Sequence, residues 1–164
     1  MRRYVVAVKT KRMIRNDLST VPALYEHDVV AWSVEQVRLL RAGLLDQIDI
    51  EHIADEIEDV GKSEERELVS RLAVLLAHLL EWQAQPGLRS ASWERTLRHQ
   101  RKRARRRLDK TPSLQPKLHD PEWVDDVWDD AVVLAVKETG LDITNFAAAC
   151  PWLLADVILE DWLP

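Results

Sequence analysis

Residues 50–85 read IEHIADEIEDVGKSEERELVSRLAVLLAHLLEWQAQ and repeat apolar side chains at steps of three and four. This period places side chains on one face of a helix. Asp49 is suited to cap its start, and Pro86–Gly87 ends it. Gly61 costs about 1 kcal/mol in a helix interior, which allows a bend, but the preserved phase predicts one long helix from about Ile50 to Gln85. The positions of this stripe are Ile50, Ile53, Ile57, Val60, Leu68, Leu72, Leu75, Leu79 and Trp82.

Two further long helices and several short ones are predicted after this segment. Ser90 or Ser92 caps a helix that runs to about Leu108 and has a thin apolar stripe. The next helix starts at Asp120–Pro121 and ends at Gly140. A helical turn follows Thr111–Pro112, and short helices are expected at 144–149 and 151–159.

One long helix is predicted before residues 50–85, from near Tyr25–Asp28 to Gly43. Its inner face is expected to carry Val29, Trp32, Gln36, Leu39, Leu40 and Leu44, widened by Val30, Val34 and Val37.

The fold class is therefore all-α, as an up-and-down helix bundle of about four long helices with short C-terminal helices. Residues 1–20 form a basic N-terminal extension outside the bundle domain, which spans 21–164. The side chains expected to be largely buried are Trp32, Leu75, Leu79, Trp82, Trp93 and Trp128.

The charges are sorted along the chain. Gly87–Lys110 carries ten Lys or Arg and two acids, whereas Val21–Asp59 carries ten acids and two Arg, and Thr111–Pro164 carries eleven acids and two Lys. Arginine is well suited to pairing with carboxylates. Such blocks therefore predict helices that neutralise each other when packed, or a basic face kept for an acidic partner.

Several classes of protein are disfavoured. A single cysteine, Cys150, excludes an internal disulfide and a Cys-rich metal site and fits a reducing compartment, so we expect a cytoplasmic protein. No apolar run approaches the roughly 18 residues that span a bilayer, so we expect no membrane partner. Phosphate-binding glycine loops, a Gly-x-Ser-x-Gly elbow and a His-Glu-x-x-His motif are absent from the sequence. We therefore find no catalytic signature and expect no catalytic residues and no cofactor.

From Tyr25 to Pro164 the chain resembles the bacterial helical family catalogued as domain of unknown function number 29. The resemblance implies an all-helical bundle, and it implies no activity. The residues that carry it are Tyr25-Glu26-His27-Asp28 with Trp32, Leu39-Leu40-Arg41-Ala42-Gly43, Asp55-Glu56-Ile57-Glu58-Asp59-Val60-Gly61-Lys62-Ser63-Glu64, His78-Leu79-Leu80-Glu81-Trp82-Gln83 with Gln85-Pro86, Arg89-Ser90-Ala91-Ser92-Trp93, Cys150-Pro151-Trp152 and Leu163-Pro164.

A nucleic-acid site is one candidate. The basic helix Arg95–Lys110 offers cations to phosphates, and Trp93 could stack on a base. Against this, the whole chain has a pI of about 5.6, and the acidic blocks supply internal partners. The candidate residues are Trp93, Arg98, Arg101, Lys102, Arg105 and Arg106.

A metal site is a second candidate. His52 and Glu56 are spaced four residues apart and His78 and Glu81 three, so each pair shares one helix face. On one continuous helix the two histidines lie roughly 39 Å apart, and only a reversal at Gly61 would join them. The alternative is a salt-bridging helix surface.

Cys150 precedes Pro151 at an expected helix start, where the dipole lowers a thiol pKa. A buried, unreactive thiol is favoured, because no histidine is near it in the sequence.

The leading functional hypothesis is a protein–protein interaction or self-association module without catalytic activity, whose partner is another protein or a second copy. Nucleic-acid binding and a carboxylate–histidine metal site are the alternatives.

Overall fold

The computed structural model describes residues 20–159 and 162–164, and within them the regular structure is entirely helical, which confirms the all-α class. Of the predicted extension 1–20, residues 1–19 lie outside the described part, and Thr20 is the first residue of α1. The up-and-down order of four long helices stays a prediction. The α-helices are α1 (Thr20–His27), α2 (Val29–Arg41), α3 (Ile50–Ala84), α4 (Ala91–Lys110), α5 (Pro121–Thr139) and α6 (Leu154–Val157). Short 3-10 helices span Pro86–Leu88, Pro112–His119 and Ile143–Asn145.

Local capping sets several of these boundaries. The Asp28 carboxylate accepts a hydrogen bond from the Ala31 backbone N at 2.9 Å and so caps α2. Ser90 caps α4 in the same way, through the Trp93 backbone N. Gly140 has a φ of 69° and ends α5 in the left-handed conformation that favours glycine. Through Gly61, α3 is unbroken, as the preserved phase predicts.

The chain divides into two compact units, one ending at Glu58 and the other spanning Asp59–Pro164. In the first unit Asp49 joins α2 to the start of α3. Its carboxylate accepts hydrogen bonds from Trp32 Nε1 at 3.1 Å and from His52 Nδ1 at 2.7 Å. Its backbone N donates to Gln36 Oε1 at 2.8 Å. Tyr25 stacks on the His52 ring, with centroids 4.0 Å apart. These contacts fix the inner face of α2.

The second unit has one apolar core. Its centre is the leucine-rich face of α3, against which α4, α5, α6 and the 3-10 helix Pro112–His119 pack. The indole of Trp128 donates to the backbone O of Ala147 at 2.9 Å, which satisfies its polar atom inside the core. The fully buried members are Leu68, Leu72, Leu75, Leu76, Leu79, Ala104, Val127, Ala131, Ala135 and Val157.

Most of the predicted core is confirmed. Trp32, Leu75, Leu79, Trp82 and Trp128 are buried. The prediction for Trp93 was too strong, because this residue is only half-buried and packs edge-on against Trp82, with ring centroids 5.7 Å apart.

Several positions assigned to inner faces are exposed. On α2 the buried residues are Trp32, Gln36 and Leu39, and the side of the helix away from Asp49 faces solvent. The stripe of α3 is buried from Leu68 onward, whereas in its first turns Ile53 is half-buried and Ile50, Ile57 and Val60 are exposed. The residues wrongly placed inside are Val29, Val30, Val34, Val37, Leu40, Ile50, Ile57 and Val60.

Leu75→Ala is expected to lower the free energy of unfolding by about 2–5 kcal/mol, because Leu75 is 0% exposed and its removal leaves a cavity. Urea unfolding followed by circular dichroism measures the change. Leu88→Ala is the control: Leu88 is 64% exposed, and its truncation should change stability by no more than about 0.5 kcal/mol. A loss below about 0.5 kcal/mol for Leu75→Ala would contradict the assignment of this face as core.

Asp49→Ala is expected to destabilise the first unit by about 1–3 kcal/mol, since it leaves Trp32 Nε1 without its acceptor. Tryptophan fluorescence during urea unfolding reports the loss, and Asp46→Ala, an exposed acid of the same loop, is the control.

The effect of Asp49→Ala should also depend on pH. Partial burial alone would raise the pKa of Asp49, but hydrogen bonds from His52 and Trp32 outweigh it and hold that pKa below its ordinary value. The stabilisation by Asp49 is therefore complete above the unfolded-state pKa and is lost as the pH falls through the folded-state pKa. The difference between wild type and Asp49→Ala should shrink below about pH 4. An unchanged difference at lower pH would show that the ionised carboxylate contributes nothing.

Candidate interaction surfaces

One face of α4 is basic and faces solvent. We call this face the basic stripe. It forms a shallow groove of about 650 Å³. Because its residues recur at steps of three and four, they lie on the side of α4 opposite the buried Leu97, Ala104 and Leu108. The residues of the stripe are Arg95, Arg98, His99, Lys102, Arg105, Arg106 and, at its C-terminal end, Asp109.

The predicted nucleic-acid residues separate into two groups. Arg98, Lys102 and Arg106 are exposed on the stripe, and Arg105 lines it half-buried. Arg101 must be corrected: it is 2% exposed, so it cannot reach a phosphate outside the protein.

Arg101 has a structural role instead. Its Nε donates to the backbone O of Val157 at 2.9 Å, and its guanidinium also donates to the backbone O of Trp162. It therefore holds the C-terminal segment against α4.

Trp93 also differs from its predicted role. Its ring packs against Trp82 instead of standing free for a base to stack on. The exposed part of α4 thus offers cations without an aromatic platform.

Part of the basic block is neutralised inside the second unit. Arg107 pairs with Glu64 and lies 3.5 Å from the Glu67 carboxylate. Lys117 pairs with Glu65 at 3.3 Å. These contacts join α3 to the segment that contains α4 and the 3-10 helix after it.

The exposed members of the stripe are not neutralised in this way. Over residues 20–159 and 162–164, the ion pairs do not include Arg98, Lys102 or Arg106. The acids Glu64 and Glu67 that pair with Arg107 lie between the charge blocks, so these pairs are not the neutralisation of one block by another that the charge sorting predicts.

The members of the first predicted metal-ligand pair have other partners, whereas those of the second pair contact each other. His52 Nδ1 is held by Asp49, and Glu56 Oε1 accepts from the Tyr25 hydroxyl at 2.9 Å. His78 Nδ1 lies 3.3 Å from Glu81 Oε2. The unbroken α3 contains no reversal at Gly61 that would join the pairs. Among the described residues no group of three or more His, Cys, Asp or Glu side chains could hold a metal ion.

Cys150 is half-buried, and its thiol lies 3.4 Å from the backbone O of Trp152. Burial raises the pKa of the Cys150 thiol, and the nearby Asp125 charge adds to the effect. The lowering expected from a helix dipole is wrong, because α6 begins only at Leu154. A raised pKa leaves less of the reactive thiolate at neutral pH.

The sequence did not indicate an exposed apolar surface on α2, which the structure shows. We call Val30, Val34 and Val37 the α2 seam; all three are exposed, and Val34 is 66% exposed. Arg38 and Arg41 flank it. The width of the apolar face of α2 was the feature of the sequence that could have indicated this surface. One stripe contains Trp32 and Leu39 and the other is the α2 seam, and together they are wider than the face that one neighbouring helix covers.

A groove of about 670 Å³ runs between α3 and α5 in the second unit. Its floor includes Val69, Ala73 and Trp123, and Val133 stands exposed at its side. The rim carries both signs of charge, with Lys62, Glu65 and Arg66 from α3 and Asp126 and Asp130 from α5.

Of the helices in the described part, none combines the length and the apolar character that crossing a bilayer demands.

Comparison with known proteins agrees with the resemblance seen in the sequence. No curated protein and no solved structure matches the chain. One family profile, described as "Domain of unknown function DUF29", matches residues 24–163. This match runs from within α1 to the C-terminal segment and covers most of the chain, which therefore belongs to the DUF29 family.

Proposed function

We propose that this protein is an interaction module that associates with a second copy of itself through the α2 seam. The observation that supports this proposal is the exposure of three valines on one helix whose other face is already fixed by Asp49 and Tyr25. Exposed apolar residues that form one contiguous surface often mark interaction sites, whereas scattered ones do not.

The spacing of the seam supports a helical partner. Val30, Val34 and Val37 follow one another at steps of four and three, and Arg41 continues the series by a step of four. This alternation is the repeat by which two helices pack along a seam. The aliphatic stem of Arg41 can extend the apolar contact while its charge stays in water.

A second copy fits the seam across a two-fold axis. With the axis between Val34 and Val37 and the two α2 helices antiparallel, Val34 packs against the copy's Val37, and Val30 packs against the stem of the copy's Arg41. Glu35 and Arg38 already form a 2.7 Å pair within α2. In this arrangement Glu35 also lies within a helical turn of the copy's Arg38, and Arg38 lies within a helical turn of the copy's Glu35. The contact is self-complementary, as a two-fold interface requires.

The expected association is weak. Three valines and an arginine stem supply much less than the roughly 1,200 Å² of total area that a stable interface buries. Residues 20–58 carry nine acids and two arginines, and the whole chain has a net charge of −5, so two copies repel each other. Because salt screens this repulsion while apolar burial remains, added salt should strengthen the dimer.

A reducing compartment such as the cytoplasm is part of this proposal, because the half-buried Cys150 thiol is free.

Val34→Glu is expected to abolish self-association, because it places a carboxylate in the centre of the seam, where pairing would remove it from water. Sedimentation equilibrium across the micromolar range, at low and at high salt, should show a concentration-dependent dimer for wild type and a monomer for the variant.

Val133→Glu is the matched control. Val133 is 64% exposed on α5, and its substitution should leave the dimer intact. A wild type that stays monomeric at every concentration and salt would refute the proposal. A dimer broken by Val133→Glu but not by Val34→Glu would move the interface to the groove between α3 and α5.

A further inference from the structure

We propose that the basic stripe of α4 binds the phosphate backbone of duplex nucleic acid, independently of base sequence. This inference uses a surface in the second unit and does not depend on self-association through the α2 seam.

The first argument is charge density along a line. From Arg95 to Arg106 the stripe covers eleven residue steps of an α-helix, or about 17 Å. Over that length a duplex presents about ten phosphate charges, one per roughly 1.7 Å of its axis. A stripe of cations at steps of three and four along one line matches the continuous charge of a phosphate polymer.

The second argument is that the fold leaves these cations to the solvent. Arg107 forms an ion pair with Glu64, and Arg101 donates hydrogen bonds to backbone carbonyls. These two arginines are therefore already bound within the protein. Arg98, Lys102 and Arg106 lie exposed on the outer face of the same helix, and the ion pairs within the part of the chain that the structure describes do not include them. Asp109 is the one acid that lines the stripe.

The third argument distinguishes a duplex from a single strand. Proteins that bind single strands combine a basic groove with aromatic side chains on which bases stack. Trp93 is the only tryptophan, tyrosine or phenylalanine in α4, and its ring packs against Trp82. Contacts from long cationic side chains to phosphates remain, and these position a duplex without reading its bases.

The acidic character of the whole chain does not cancel this surface. Charges separated by more than about 8 Å are largely screened at physiological ionic strength. The stripe therefore attracts phosphates that are in contact with it, while the net charge of −5 weakens the attraction of nucleic acid at longer distances. The expected result is modest affinity that falls steeply as salt rises.

The test is fluorescence anisotropy of a labelled mixed-sequence duplex, two helical turns long, titrated with the full chain between about 50 and 200 mM KCl. Contacts from the four cations Arg95, Arg98, Lys102 and Arg106 predict that log K falls against log salt with a slope of about −3.6. The same slope is expected for Val34→Glu, which keeps the stripe intact.

The diagnostic variant is Lys102→Ala with Arg106→Ala, which should weaken binding and make the slope less negative by about 1.8. The matched control is Arg66→Ala with Lys137→Ala, which removes two exposed positive charges from α3 and α5. This control should keep the wild-type slope. Circular dichroism melting of both double variants shows that each is folded.

Four results would overturn the proposal. They are the absence of salt-dependent binding by wild type, equal losses in the two double variants, a single strand bound more tightly than the duplex, and poly-glutamate competing as well as the duplex at equal charge. The last result would assign the stripe to an acidic protein partner.

Discussion

The burial of the leucine face of α3 is the constraint on which the second unit depends. Leu68, Leu72, Leu75, Leu76 and Leu79 are 0% exposed, and each fully buried leucine contributes roughly 1.5–3 kcal/mol relative to an exposed one. This face is apolar over several turns, so it must be covered by the apolar stripes of the helices that follow it. The stripe of α4 is narrow, and turning Leu97, Ala104 and Leu108 inward forces the charged remainder of that helix outward. The basic stripe is thus a consequence of how the core is closed.

Helix positions were predictable because they depend on neighbours in the sequence. The phase of the apolar residues gave α3 to within one residue, and the caps Asp28 and Ser90 act through bonds that reach three residues along the chain. The prediction missed α1, and the short helices expected at 144–149 and 151–159 are a 3-10 helix at Ile143–Asn145 and α6. The asymmetry of α4 was predictable for the same reason, because its thin stripe is visible in the residue order. Local rules of this kind need no knowledge of what packs where.

Burial across the whole molecule was not predictable in the same way. Arg101 and Lys102 are adjacent basic residues, yet one is enclosed by the backbone carbonyls of Val157 and Trp162 and the other is exposed. The spacing within α4 places Arg101 in phase with Leu97, Ala104 and Leu108, but the carbonyls that accept its hydrogen bonds come from a segment more than fifty residues away. Val34 shows the converse case. It continues an apolar pattern, but periodicity shows only which side of a helix is apolar, and a partner must be present to cover it.

The sorted charges of this chain connect the two proposed surfaces. Acidic residues dominate the segment 20–58 that carries the α2 seam, and basic residues dominate the exposed face of α4. Contact between two acidic units is opposed by repulsion, which salt removes, whereas contact between cations and phosphates is driven by counterion release, which salt suppresses. Ionic strength therefore shifts the two equilibria in opposite directions. If every cation of α4 were paired with a carboxylate, as Arg107 is with Glu64, the salt-dependent binding of phosphates would be absent. Cations that are paired with carboxylates inside the protein do not attract a partner from outside. The exposed Arg98, Lys102 and Arg106 are outside the ion pairs of the described residues, so they can attract one.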